Sequence, residues 1–135
     1  MLHEETTDQI IKAFYKVYNT LGYGFLERVY ENALTHELRN EGLDVKKQHP
    51  ISVHYDGQVV GNYFADLLVD DRVIVELKSA EVLSSSYIAQ LMNYLKATDI
   101  EVGLLVNFGP KATFKRRILT NDRKPYLAKK SVRIR

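Results

Sequence analysis

Cysteine is absent from the 135-residue chain, and that absence removes a disulfide framework, a thiolate zinc site and a cysteine-ligated iron–sulfur cluster from consideration. Also lacking is any apolar run approaching the roughly 20 residues that a membrane-spanning helix needs. The opening MLHEETTDQI has no basic segment followed by an apolar one, so it does not read as a secretory leader. A cytoplasmic protein with no membrane contact is the expectation. Internal repeats and low-complexity segments are missing too. His49 and His54 have no second ligand at metal-binding spacing and are assigned to the surface.

What is present is ordinary for a globular domain, with 45% hydrophobic and 27% charged residues. The length suits a single domain over 1–135 with an adequate core. Charge is the uneven property. Residues 111–135 hold ten lysines and arginines against one acid, a net of +9, which leaves −7 on residues 1–110 of a chain whose total is +2. Such a basic C-terminal arm, with Lys111, Lys115, Arg116 and Arg117 at its head, suits a polyanion whose affinity falls as salt rises. A solvated tail kept soluble by its charge has the same composition.

The centre of the chain is YFADLLVDDRVIVELKS, Tyr63 to Ser79. Two apolar runs flank the polar break Asp70-Asp71-Arg72, the pattern of a β-hairpin with a short loop. Glu76 and Lys78 lie two apart, so the period of a strand puts both on one face. A three-residue loop over 70–72 sets Val69 against Val73 and Asp66 against Glu76. One face then carries Phe64, Asp66, Leu68, Ile74, Glu76 and Lys78. The other carries Ala65, Leu67, Val69, Val73, Val75 and Leu77 and is core. A two-residue loop would send Glu76 into that apolar face, which an unpaired buried carboxylate strongly disfavours. Two facing acids need a positive partner. Lys78 is one; a divalent cation is another, since magnesium needs only one or two protein carboxylates. A structural ion cluster of Asp66, Glu76 and Lys78 is the alternative.

The flanks follow by periodicity. A first helix is expected over 6–18 with Ile10, Phe14, Val17 and Tyr18 inward and Thr6, Thr7 or Asp8 as cap. Gly22 and Gly24 interrupt it, and a second helix runs from about Phe25 to Asn40 with Leu26, Val29, Tyr30, Ala33, Leu34 and Leu38 inside. Glu27 lies beside that stripe, either facing the sheet or exposed near the positive end of the helix dipole. Strands are expected over 43–61, turning at Asp56-Gly57, with Pro50 favouring an edge. Ser84, Ser85 or Ser86 caps a third helix to about Ala97, on which Gln90 and Tyr94 stack in a QxxxY pattern. A buried strand over 99–108 completes a βαβ unit parallel to the hairpin's second strand, and residues 112–119 add another. Beyond them no pattern is assigned.

Helix, D…ExK sheet, QxxxY helix and strand, in that order, resemble the PD-(D/E)XK nuclease superfamily. Gly24-Phe25-Leu26-Glu27-Arg28-Val29-Tyr30 resembles more narrowly the motif of the GxxExxY family. Phe64-Ala65 precedes Asp66, so the proline of the superfamily's name is missing. The resemblance implies an α/β, restriction-endonuclease-like three-layer core with a mixed central sheet flanked by helices. It implies that Asp66 and Glu76 bind Mg2+ or Mn2+, with Glu27 reaching the metal region from its helix. It further implies that Lys78 positions the attacking water and that Gln90 and Tyr94 complete the site. The function expected is metal-dependent hydrolysis of nucleic acid, DNA in preference, with the basic arm on the backbone. An idle nucleic-acid-binding or protein-interaction module on the same fold is the alternative. The oligomeric state stays open, a homodimer included.

Overall fold

A mixed five-stranded sheet carries the chain in the computed structural model, which describes residues 2–134 and their side chains as far as Lys129. Helices α1 (Glu4–Leu21) and α2 (Glu27–Asn40) precede β1 (Val45–Tyr55), β2 (Gln58–Val69) and β3 (Val73–Lys78). Helix α3 (Ser85–Ala97) then leads to β4 (Val102–Phe108) and β5 (Ala112–Ile118), followed by a 3-10 turn at Asn121–Arg123 and α4 (Pro125–Ile134). The strands lie in chain order across the sheet. Only β3 and β4, joined through α3, are parallel. The expected α/β core is present.

Two apolar clusters sandwich the sheet. On one face Ile10 and Phe14 of α1 and Tyr30, Leu34 and Leu38 of α2 pack on Leu67, Val69, Val73, Val75, Leu77 and Val106. On the other, Leu91, Tyr94 and Leu95 of α3 pack on Ile51, Leu68, Ile74 and Leu105. Each large side chain so buried stabilises the fold by about 2 kcal/mol. The β3 alternation between the clusters leaves Glu76 and Lys78 on the α3 side. Ser84 is the cap of α3, its Oγ accepting from the Ser86 N–H at 3.0 Å.

The hairpin loop is 70–72, with Val69 opposite Val73. Asp70 and Asp71 both take left-handed φ, 52° and 53°, which aspartate tolerates better than most residues. The Arg72 N–H closes the turn on Val69 O at 3.0 Å. Asp56 and Gly57 turn with φ of 53° and 76°, the signature of a tight hairpin. Pro50 does sit on an edge strand, since β1 borders the sheet.

Several expectations are corrected. Helix α1 starts at Glu4, so Thr6 and Thr7 lie within it, buried, and Thr7 Oγ1 donates to Glu4 O. Leu26 and Val29 do not belong to the inner stripe of α2. Leu26 is the residue before the helix and is 80% exposed, and the buried side is Tyr30, Glu31, Leu34, Thr35 and Leu38. His54 is half-buried, and its backbone N–H donates to Tyr126 Oη at 2.9 Å.

The expected strand over 112–119 is β5, and the tail beyond it, given no pattern from sequence, is a turn and a helix. Its Lys124 is only 2% exposed, and Nζ donates to Thr98 O at 2.8 Å and Ile100 O at 2.7 Å. Burial lowers its pKa, partly opposed by Glu101 and Asp99. This cation is a peg that ties the tail to the end of α3 and is not available to a ligand. Lys130, Arg133 and Arg135 of the basic arm lie outside the residues whose side chains are described. Replacing Lys124 by Met leaves two carbonyls without their donor. A loss of about 2 kcal/mol in urea unfolding is expected; an unchanged midpoint would mean that desolvation of the ammonium cancels its bonds.

Candidate active site

Beyond the Leu67–Val75 pair the β2–β3 ladder changes character. The next pair in that register is Asp66 and Glu76, and side chains replace backbone carbonyls there. Glu76 Oε2 accepts from the Asp66 N–H at 2.7 Å, and Asp66 Oδ2 accepts from the Leu77 N–H at 2.8 Å. The alternation of β2 breaks at the same place. Lys47 pairs with Leu67 and His49 with Ala65, while Gln48, between them, has a left-handed φ of 50°. Such an irregularity re-aims neighbouring side chains. Ala65 consequently packs with Ile51 and Leu68 on the α3 side, a correction to its expected place beside Leu67.

Charge is crowded at this fork. Glu76 is 3% exposed. Burial pushes its carboxyl up to about 8, and the Asp66 charge adds to that; the bond from the Asp66 N–H and the Lys78 ammonium oppose it, while Glu31 contributes in the upward direction. Tyr94 is buried, and its phenol is pushed up to about 12, chiefly by burial, then by Glu76, Asp66 and Tyr63. Lys78 Nζ lies 4.7 Å from the centroid of the Tyr87 ring, a cation–π contact that holds the ammonium against α3. Asp66, Glu76, Lys78 and Tyr94 are thereby brought together. Gln90 is half-buried one turn before Tyr94.

Helix α2 contributes differently from expectation. Glu27 is exposed, as the first residue of the helix. Its neighbour on the next turn, Glu31, is buried and accepts from Gln48 Nε2 at 2.9 Å, and the same nitrogen lies 3.3 Å from Asp66 Oδ1. Gln48 therefore links the α2 acid to the hairpin acid. Glu31 carried a signal, its place four residues after Glu27; Gln48 carried none. The glycine and tyrosine of the GxxExxY stretch are structural. Gly24 has φ 120°, strained for any side chain. Tyr30 Oη donates to Gly22 O at 2.6 Å and accepts from the Phe25 N–H at 3.1 Å, while its ring stacks on Phe108 at 4.4 Å. Ser79 Oγ, just past Lys78, reaches Phe25 O at 3.4 Å, which ties the segment before Glu27 to the exit of β3.

Asn107, also missed by sequence, fixes the exit of β3. It pairs with Lys78 across the parallel ladder. Its amide accepts from the Ala80 N–H and donates to Ala80 O, both at 2.9 Å.

Residues 4–118 match the family model described as the PD-(D/E)XK nuclease superfamily. The chain belongs to that superfamily. No curated protein matches it. Among solved structures, the one titled "Crystal structure of SSO0001" is similar in fold, with a TM-score of 0.57 at 17% identity. That likeness covers 81% of this chain and 59% of the other.

In this PD-(D/E)XK domain the donor set suits a hard divalent cation. Each facing carboxylate commits one oxygen to a backbone N–H; the second oxygen of Asp66 has only the long 3.3 Å contact from Gln48 Nε2. Burial that resists charge on Glu76 is the condition a cation relieves. Among the described residues no three His, Cys, Asp or Glu side chains gather as a fuller cage, and two carboxylates suffice for magnesium, which keeps its waters. Divalent metals are typical of PD-(D/E)XK nucleases. No helix among the described residues is long and apolar enough to cross a membrane.

The expected basic cluster is split by the strand period. Lys115 and Arg117 of β5 pair with Leu105 and Gly103, which puts them on the α3 side; Arg116 pairs with Leu104 on the opposite face. Arg116 Nη2 donates to Leu2 O. Lys111 is exposed in the turn before β5 and shares a shallow depression with Lys115, Glu81 and Phe114.

Proposed function

We propose that this domain is a divalent-metal-dependent phosphodiesterase that hydrolyses nucleic acid, DNA in preference. The reading rests on one observation: two carboxylates face each other across the β2–β3 fork, locked by reciprocal bonds to backbone N–H groups, beside a lysine. Asp66 and Glu76 would hold Mg2+ or Mn2+, which supplies Lewis acidity toward the scissile phosphate when bound. Lys78, steadied by Tyr87, orients the attacking water and offsets the negative charge that develops on the phosphorane. Tyr94 keeps its proton well above neutral pH and serves as a donor. Gln90 supplies an amide from the same helix. Glu27 approaches the metal region from the start of α2, and Glu31 with Gln48 holds Asp66 in position. Lys111, Lys115 and Arg117 bear on the flanking phosphates without reading sequence, while Arg116 is engaged with the N-terminal segment.

The test is incubation with supercoiled, linear and single-stranded DNA and with RNA, in magnesium or manganese, alongside Asp66→Ala and Lys78→Ala. Metal-dependent cutting that both variants lose is the expected result; cutting that persists in both rejects the site. A second reading, an idle binding module, draws on the absence of a third converging acid among the described residues. It predicts no heat of magnesium binding at millimolar metal, with or without DNA.

A further inference from the structure

A cleft of about 340 Å3 opens on the α3 side of the sheet. Val60 and Tyr63 of β2 line it, with Asn93, Tyr94 and Lys96 of α3 and Tyr126 of α4. Three of these six residues are tyrosines. The Tyr63 and Tyr94 rings lie 5.9 Å apart at 47°, and Tyr126 is fixed as a wall by the bond its Oη accepts from His54 N–H. Val60 and Tyr63 are 61% and 46% exposed, so the floor and one wall offer apolar and aromatic surface to solvent.

The cleft and Glu76 share a face of the sheet. Tyr94 lines the cleft and packs with Ala65, Leu68 and Ile74 on the sheet face that also carries Glu76 and Lys78. A molecule in the cleft therefore lies on the same side of the sheet as Glu76 and Lys78. We infer that the Tyr63–Tyr94–Tyr126 cleft seats one unstacked nucleobase of the strand being cut, next to the scissile phosphate. This inference rests on the phosphodiesterase reading and narrows its substrate to single-stranded or locally unpaired nucleic acid.

The chemistry of the walls selects that occupant. Aromatic and aliphatic faces accept any base by stacking. The exposed Asn93 amide offers both a donor and an acceptor to a base edge, and the Lys96 ammonium at the rim suits the phosphate that follows. A base held in a duplex cannot enter such a cleft without first leaving its stack, and an already single-stranded base avoids that cost. Rigid walls lower the ordering cost of binding.

The experiment measures binding without cutting. Fluorescence anisotropy in EDTA compares a labelled single-stranded oligonucleotide, the same oligonucleotide with abasic sites throughout, and a blunt duplex of equal length. The single strand should bind about tenfold more tightly than either of the others, the size expected for stacking one base. Tyr63→Ala, at a half-exposed position, should remove that advantage and leave duplex binding unchanged. Asn93→Trp, which fills the cleft from an exposed helix position, should do the same, while Tyr63→Phe should keep the advantage. Equal binding of the three ligands overturns the inference, as does a single-strand preference that both blocking variants retain. Base-dependent binding by a protein that cuts nothing in magnesium or manganese would uphold the cleft and refute the phosphodiesterase. Metal-dependent cutting without base-dependent binding would do the reverse.

Discussion

Glu76→Gln should make the metal-free protein more stable at pH 8 and at the same time reduce cleavage by about 10²–10³-fold. The two effects have one origin. In the folded protein the Glu76 carboxyl is pushed up to about 8 from an ordinary value of 4.5, first by burial and then by Asp66. The native state thus holds this proton where the unfolded chain has released it. Stability from the neutral form is fully present below pH 4.5 and is lost as pH rises through 8. Above that the fold carries a buried charge at a cost on the order of 5 kcal/mol. Glutamine keeps an oxygen to accept the Asp66 N–H but never ionises. In EDTA the wild-type melting temperature should therefore fall between pH 5 and 8.5, while that of the variant stays nearly flat. Millimolar magnesium or manganese should raise the wild-type value at pH 8 and leave the variant unmoved. A variant that melts lower than wild type at both pH values, or that cuts normally, would sink this account.

Asn107→Ala should cost about 3 kcal/mol and slow cleavage about tenfold, with both figures following from a single pair of lost bonds. Asn107 is 2% exposed, and its amide satisfies both the N–H and the carbonyl of Ala80. Alanine leaves both half-buried groups without this partner, at about 1–3 kcal/mol each. The corner has no slack to recover them by shifting. A Cβ on Gly109 would stand 2.2 Å from Ala80 O, so the backbone already packs as tightly as glycine allows. Ala80 lies two residues after Lys78, and a loosened exit from β3 displaces the ammonium from its place over Tyr87. Asn107→Asp keeps the acceptor and loses the donor, so it should fall between alanine and wild type. Urea unfolding gives the first quantity and cleavage at saturating substrate the second. A loss under about 1 kcal/mol would show that water replaces the amide.

Much of the hairpin was legible because two signals agreed. The polar break at 70–72 gave the loop, and the apolar alternation of Leu67, Val69, Val73 and Val75 allowed only the register that kept Glu76 out of the core. The helix cap at Ser84 and the edge position of Pro50 were local chemistry and were equally visible. What escaped depends on contacts far apart in the chain. The shift of Ala65 follows from a left-handed Gln48 on the neighbouring strand, and nothing in the sequence near residue 48 announces it. Glu31 differs from Glu27 only in which turn of α2 meets the sheet, and the true start of the helix at Glu27 decides that. Lys124 and Tyr126 looked like part of a basic tail because their burial comes from α3 and β1. Arg116 was grouped with Lys115 by sequence adjacency, although a strand sends adjacent residues to opposite faces.

The reciprocal bonds of Asp66 and Glu76 give those residues two employments. Their oxygens complete the pairing of β2 with β3 whether or not any reaction takes place. A descendant that had abandoned hydrolysis would still need acceptors at both places, and asparagine and glutamine would serve. Lys78 is under no such obligation, because its ammonium bonds no backbone group among the described contacts. In a set of diverged copies, survival of the acids alone would thus say little about activity, and the residue to watch is the lysine.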